Sequence, residues 1–399
     1  MNPRPRSASR RHHPAAGSMT HTACAEPRLP FAALRLSAQG ISCSVFSDAS
    51  DVVAWLGAVQ AQDYSAAKWA LGLRMPVGMA NDSIIEGAIA NGGILRTHVM
   101  RRTWQFVAAP DLRWMLDLVA PRLITRSAGR YRQLELDAAT FGRCATILAK
   151  TLDGGHALTR DEIGSAFERA GVSADGPRLS HLLVRAELDG LICSGPPRGR
   201  NHTYVLLEHR APLGVPLRRD EAVAELVRRY FRSRGPASLR DFVWWSGLTA
   251  KEARAGVMAI RSSLATDVVN GETFWWQNDA MALVVSPCVH LLPAFDEYVL
   301  AYRDRTAVLD TKYSEHLNAG GGMLSPVIII DGRVAGTWRR TALGVGTVSM
   351  KAEMFASVGE RERLAIAGAA QRYAEFLQRD ARIEVVATAC RCASPPHQS

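Results

Sequence analysis

Two glutamines, Gln60 and Gln62, stand two positions apart in GAVQAQDYSAAKWALGLR, residues 57–74. Amide side chains do not ionise, so neither can act as a general base at neutral pH. Each carbonyl oxygen can accept a hydrogen bond from a water and orient it, and its partial negative charge favours a nearby developing cation. The pair can serve one target only if the backbone aims both side chains the same way. On a continuing helix they would point ~200° apart; in an extended segment, positions i and i+2 share a face. Shared chemistry therefore requires the preceding helix to stop near Gln60. The other reading of the pair is a helix C-terminus, where polar side chains satisfy loose carbonyls.

Three further clusters carry charge. RTHVMRRTW gathers Arg96, His98, Arg101 and Arg102 beside Trp104. Strand alternation places Arg96, His98 and Met100 on one face, either a phosphate-facing edge with an aromatic nearby or a solvated strand face. PPRGRNH puts Arg198, Arg200 and His202 at a loop tip, where backbone phosphates are natural partners. PAFDEYVLAYRDR brings the carboxylates of Asp296 and Glu297 close to Arg303 and Arg305, for acid/base work or for buried ion pairing at a domain junction. No Gly-rich phosphate loop, HExxH, GxSxG or Ser/His/Asp arrangement stands out.

The elements that must hold these residues are legible in part. Val52, Trp55, Leu56 and Val59 form one apolar helical stripe leading to the glutamines, and Lys68 to Leu73 read as a strand. Three segments then share one plan of helices followed by a strand pair. Around 158, Thr159 and Glu162 have capping-box spacing, a second helix follows in DGPRLSHLLVRAELDGL, and two strands flank the PPRGRNH tip. Around 237, Ser238/Asp241 and Thr249/Glu252 open two helices before a hairpin turning at Asn270-Gly271. Residues 30–110 form a less regular copy, with the helix DSIIEGAIANGG and the strands LRTHVM and TWQFVA. The last third differs: short strands at 281–287, 326–330 and 333–338, a hairpin at Asp331-Gly332, and a helix over 360–378 with Ile366, Ala370, Tyr373 and Leu377 on one face.

Composition bounds the partner. The 399 residues carry a formal charge of +10, and 43 of the 48 basic residues are arginine. That balance suits a polyanion, nucleic acid above all, although arginine also replaces lysine wherever a genome is GC-rich. An apolar fraction of 47% is that of a soluble globular chain, and no run approaches the ~18 apolar residues of a membrane span. Seven scattered cysteines without a Cys-x-x-Cys pair argue against a disulfide framework, a zinc site or an iron–sulfur cluster, and a cytosolic location is expected. The first 18 residues are basic and lack an apolar signal core, and Met19 follows them, so they read as a disordered arm or a misplaced start.

LGAVQAQDYSAAKWALGLR, RTHVMRRTWQFVAAPDL, LLPAFDEYVLAYRDR and DGRVAGTWRR, in that order, resemble the winged-helix DNA glycosylases, the lariat-shaped bacterial family that unhooks interstrand crosslinks and removes alkylated purines. The resemblance covers about residues 30 to 380. It implies an α+β fold of three tandem winged helices followed by a small C-terminal β-barrel or antiparallel sheet with a terminal helix. The corresponding boundaries are a disordered basic arm at 1–27, winged helices at 28–135, 136–215 and 216–285, the barrel domain at 286–385 and a disordered tail at 386–399. The family signature is Gln–hydrophobic–Gln, or Gln–hydrophobic–Asp in a second branch. Gln60-Ala61-Gln62 looks like the first branch, with a small central residue; Asp63 sits one position too far to stand in for the second glutamine.

The resemblance makes Gln60 and Gln62 the catalytic pair, with Asp63 and Asp296 in a second tier. The DNA contacts expected from the charge clusters are Arg96, His98, Arg101, Arg102, Arg198, Arg200 and His202, with Arg339 and Arg340 of DGRVAGTWRR. The resemblance implies a cytoplasmic, nucleoid-associated monomer that acts on double-stranded DNA carrying alkylated or crosslinked purines, with no cofactor and no metal. The competing readings are a non-catalytic winged-helix regulator and a self-resistance protein that sequesters a genotoxin.

Overall fold

The computed structural model describes residues 30–387 except 212, 215, 278–285 and 321. The expected basic arm, the tail after 387 and most of the strand expected at 281–287 lie outside these residues. The fold is mixed α+β.

The glutamine segment begins where a helix is stopped. Ala49–Leu56 is capped by Asp48, whose side chain accepts from the Ser50 N–H, and it ends at Gly57 with φ of 76°. That left-handed backbone suits glycine, and it turns the chain out of the helix. Val59 and Gln60 then form a two-residue strand against Thr103–Ala108, which pairs on its other side with Ile94–Val99. Val59 therefore belongs to the sheet, and the helix stops three residues before Gln60.

The strand expected at Lys68–Leu73 is a helix, Tyr64–Gly72, capped by the Asp63 side chain at 3.0 Å from the Ala66 N–H. Its run of apolar residues reflects burial on several sides rather than β structure. Trp69 lies 5.2 Å from both Tyr373 and Phe376 in the C-terminal part, and only Lys68 is charged among its buried residues. A helix covered all round loses the periodicity by which helices are recognised.

The two middle segments follow the expected order. Thr159/Glu162, Ser238/Asp241 and Thr249/Glu252 all form reciprocal capping boxes. Each segment closes on a three-stranded sheet, and the Asn270-Gly271 turn has both residues at positive φ, 53° and 77°. The last third is an open sheet in the order Val289–Leu292, Val327–Ile330, Arg333–Leu343, Thr347–Met354, Asp380–Ala387. It is not a closed barrel. The helix Glu360–Phe376 packs Ile366, Ala370 and Tyr373 into the core and returns the chain so that its last strand runs parallel to Thr347–Met354, leaving two separate edges.

The hydrophobic cores join sequence-remote segments. One unites Leu36 to Ala108 with Leu291 to Phe376, and a second joins the other face of the first sheet to the helices Ala109–Gln133 and Arg219–Arg234. Two ion pairs sit at these junctions, both at most 1% exposed: Arg74 with Asp296 at 2.8 and 2.9 Å, and Arg234 with Glu297 at 2.6 and 3.1 Å. Asp296 and Glu297 thus pair at a junction, but with Arg74 and Arg234 rather than with Arg303 and Arg305.

Arg74→Ala leaves the Asp296 carboxylate buried and unpaired, and is expected to lower the unfolding free energy by ~3–5 kcal/mol. The double variant Arg74→Ala/Asp296→Ala is expected to lose less than the single one. Urea titration reads both; a single-variant loss under ~1 kcal/mol would contradict the burial of this pair.

Candidate active site

The turn carrying the glutamines is held from below by one carboxylate. Glu297 Oε1 accepts the Gln60 backbone N–H at 3.1 Å. Its Oε2 accepts from Arg234 Nε and Nη2 and from Trp245 Nε1 at 2.9 Å. Arg234 in turn donates to the carbonyls of Leu56 at 2.6 Å and Ala58 at 2.9 Å, groups orphaned where the helix ends. Arginine, carboxylate and strand entry thus satisfy one another away from water.

Above this support the two glutamines differ. Gln60 is buried, and its side-chain carbonyl accepts the N–H groups of Ala61 at 3.0 Å and Gln62 at 3.3 Å. The oxygen locks the turn, which leaves the Gln60 amide nitrogen as the group without a hydrogen bond among the described residues. Gln62 is exposed, and its side chain makes no hydrogen bond among them. Asp63 is occupied as the cap of the next helix.

An aromatic and cationic wall stands beside the turn. Arg96 Nε donates to the Ala61 carbonyl at 3.1 Å, and its guanidinium lies 4.2 Å from the Trp104 ring and 5.6 Å from Tyr64. His98 lies against Trp104, ring centroids 3.9 Å apart and tilted by 43°, and holds Glu187 at 2.5 Å. His202, from the middle loop tip, meets Tyr64 edge-on at 4.6 Å. Burial, then the charge of Arg96, holds the His202 ring below the usual histidine range, so it is neutral at pH 7. Burial, then its hydrogen bond to Glu86, pushes the Tyr64 hydroxyl up, so it stays protonated and donates to Glu86 at 2.8 Å. Lys68 holds Asp82 at 2.8 Å and Glu86 at 2.7 Å. Each carboxylate named around the turn makes at least one hydrogen bond, the exposed Asp63 through Oδ1 alone, and Gln62 offers an unengaged amide. Such an arrangement can orient a neutral water at Gln62, and of its titratable groups the neutral His202 is a weakened base.

The other expected site residues are distributed unevenly. Arg96 is buried and His98 largely so, and they brace the turn rather than form an outer edge. Met100 leaves their face, because the strand ends at Val99 and Met100 enters the core with Leu95. Arg101 and Arg102 form the hairpin turn. Arg198 and Arg200 are exposed, the first beside Glu162. Arg339 and Arg340 are exposed, on opposite faces of one strand, and Arg340 hydrogen-bonds Tyr373. Asp296 is withdrawn into its pair with Arg74. Two residues of the site went unread in the sequence: Arg234, one arginine among 43, and Tyr64, whose role depends on the neighbouring helix.

Among the described residues no group of three or more histidine, cysteine or acidic side chains could hold a metal, and no helix is long and apolar enough to cross a membrane.

The family model described as "DNA glycosylase AlkZ-like" matches residues 53–376 of this chain. A curated relative from Streptomyces sahachiroi, "Interstrand DNA cross-link repair glycosylase", is 28% identical over 325 residues, 77% of this chain and 86% of the relative. The solved structure of Streptomyces sahachiroi DNA glycosylase AlkZ superposes with a TM-score of 0.71 at 23% identity, covering 90% of this chain and 98% of that one.

If Glu297 is what fixes the turn, Glu297→Ala is expected to raise amide hydrogen exchange across residues 58–62 by ~10-fold or more, while exchange in the helix Pro177–Leu188 stays near wild type. An equal rise in both segments would reduce Glu297 to a contributor to global stability.

Proposed function

Because this chain belongs to the AlkZ-like DNA glycosylase family, we propose that it hydrolyses the N-glycosidic bond of N7- and N3-alkylated purines in duplex DNA and unhooks crosslinks built on such bonds. The observation that carries the reading is the turn at Gln60–Gln62, with one unengaged amide at its surface and the neighbouring Asp63 committed to a helix cap through Oδ1. The name of the Streptomyces relative supports the crosslink part of the proposal.

An alkylated N7 or N3 makes the purine cationic, so the base departs without being protonated. The sugar then develops oxocarbenium character, and neutral water suffices as nucleophile. Gln62 accepts a hydrogen bond from that water and aims its oxygen at C1′, and the amide dipole favours the positive sugar. Gln60 holds the turn through its carbonyl and keeps its amide nitrogen for the substrate or the water. In this reading the three small sheets are wings of tandem winged helices, with the boundaries set out above, and a monomer wraps the duplex. Bulky crosslinked bases resist flipping into a closed pocket, whereas an exposed turn such as this one meets them in place.

Gln62→Ala is expected to slow single-turnover release of N7-methylguanine by ~10- to 1,000-fold, the range for losing one water-orienting or charge-stabilising contact. Gln60→Ala is expected to slow it through loss of the locked turn, with DNA affinity little changed in either variant. Gln62→Asp is expected to stay active, since a carboxylate orients water at least as well. Wild-type rates in both alanine variants would sink the catalytic assignment.

Lesion choice checks the same chemistry from the substrate side. Cationic N7- and N3-alkylpurines are expected to be released far faster than uracil or 8-oxoguanine, which are neutral leaving groups. Efficient uracil release would contradict a site that works by orienting water rather than by acid/base catalysis.

A further inference from the structure

The hairpin that pairs with Gln60 ends in a second charged site. Arg101, Arg102, Arg122, Arg126, Arg240 and Arg303 line one concavity of about 790 Å³, and no carboxylate among the described residues lines it. We propose that this concavity binds consecutive backbone phosphates of the DNA close to the base being excised. The proposal rests on the glycosylase reading for its choice of DNA and adds to it a phosphate site beside the glutamine turn.

Half of the arginines are unspent. Arg122, Arg126 and Arg303 make no side-chain hydrogen bond or ion pair among the described residues, whereas Arg240 pairs with Glu272 at 3.9 Å and Arg102 Nη2 meets His181 Nδ1 at 3.2 Å. The Nε atoms of Arg101 and Arg102 are buried without a partner, although buried donors are nearly always satisfied. Six guanidinium groups around one hollow repel one another unless an anion enters, and their planar forks match phosphate oxygens two at a time.

The turn itself favours a function. Arg101 and Arg102 adopt φ of 53° and 60°, the left-handed region that strains residues carrying a Cβ. Elsewhere this chain closes hairpins with Asn270-Gly271 and Asp331-Gly332, residues suited to those angles. Keeping two arginines here makes sense if their heads are needed in the hollow. Trp244 presents a ring face on the same wall, with the Arg101 guanidinium 5.5 Å from its centroid and its Nε1 anchored to the Leu300 carbonyl at 3.3 Å.

Register sets the proximity. Gln60 pairs with Gln105 and the Ala61 N–H donates to the Trp104 carbonyl at 2.8 Å, so the antiparallel register carries Gln62 opposite Thr103, one residue from Arg102. The arginine hollow therefore adjoins the turn where the chemistry is proposed.

Two measurements test the proposal. In the first, binding of full-length protein to lesion-free duplex is measured against salt. Arg122 and Arg126 lie on the surface of their helix without partners, so Arg122→Ala/Arg126→Ala is expected to fold as wild type. The variant is expected to lose about 1.8 from the log–log salt slope, the value for two phosphate contacts; an unchanged slope overturns the site. In the second, neutral methylphosphonates replace single phosphates up to five positions on either side of an N7-methylguanine. Wild type is expected to show a ~10-fold higher half-saturating concentration at one or two of these positions, and the variant no such effect. A wild-type scan that is silent there, or a variant as sensitive as wild type, overturns the proposal. So does a silent scan combined with displacement by tripolyphosphate, which would assign the hollow to a free anion. Absence of base release by wild type would sink the glycosylase reading while the salt arm still decides the arginine site.

Discussion

Arg234 and Glu297 meet in the protein interior at 2.6 Å, and the candidate active site hangs on that contact. The partners come from the end of the helix Arg219–Arg234 and from the short helix Glu297–Leu300. Burying two charges is expensive unless every remaining donor and acceptor is satisfied. Here the Leu56 and Ala58 carbonyls, the Gln60 N–H and the Trp245 indole complete the set. Such a pair is a weak source of net stability. Its value is geometric: the lowest-energy arrangement of the pair is also the one that holds the entry to the glutamine turn in a single place.

The remaining structure follows from that placement. With the strand entry fixed, the Gln60 carbonyl can lock the turn, and the lock pushes Gln62 to the surface as an unengaged amide. Arg96 closes the turn from the side through the Ala61 carbonyl and is itself sandwiched by Trp104 and Tyr64. The middle segment touches this wall through His202 and Glu187. Most charge near the turn is therefore consumed in positioning, and Gln62, the group the turn itself presents outward, does not titrate. An amide in that place suits a substrate that brings its own positive charge.

Much of this was legible in the residues. The capping boxes at Thr159, Ser238 and Thr249 and the turns at Asn270-Gly271 and Asp331-Gly332 are short-range signals, and the structure carries all of them. The halt of the helix is anticipated only as a condition for shared chemistry; Gly57 supplies it, and Val59, read on the helical stripe, joins the sheet. What failed depended on distant neighbours. Lys68 to Leu73 looked like a strand because the helix is covered from several sides. The C-terminal sheet stays open because a crossover helix returns its last strand parallel, which no local pattern announces. Arg96 and His98 read as an outer edge because the sequence does not reveal that Tyr64 and the middle segment cover them. The two roles of the glutamines were invisible for the same reason: identical residues two positions apart are separated by which one the backbone N–H groups reach.

The claim that the buried pair acts through the turn is tested most directly by a double-mutant cycle on single-turnover release of N7-methylguanine, combining Glu297→Gln with Gln60→Ala at a temperature where all variants are folded. If Glu297 matters because it places Gln60, the double variant should be no slower than Gln60→Ala alone, with the two effects collapsing into one. Independent effects that multiply in the double variant, or a Glu297→Gln protein that excises at the wild-type rate, would contradict it.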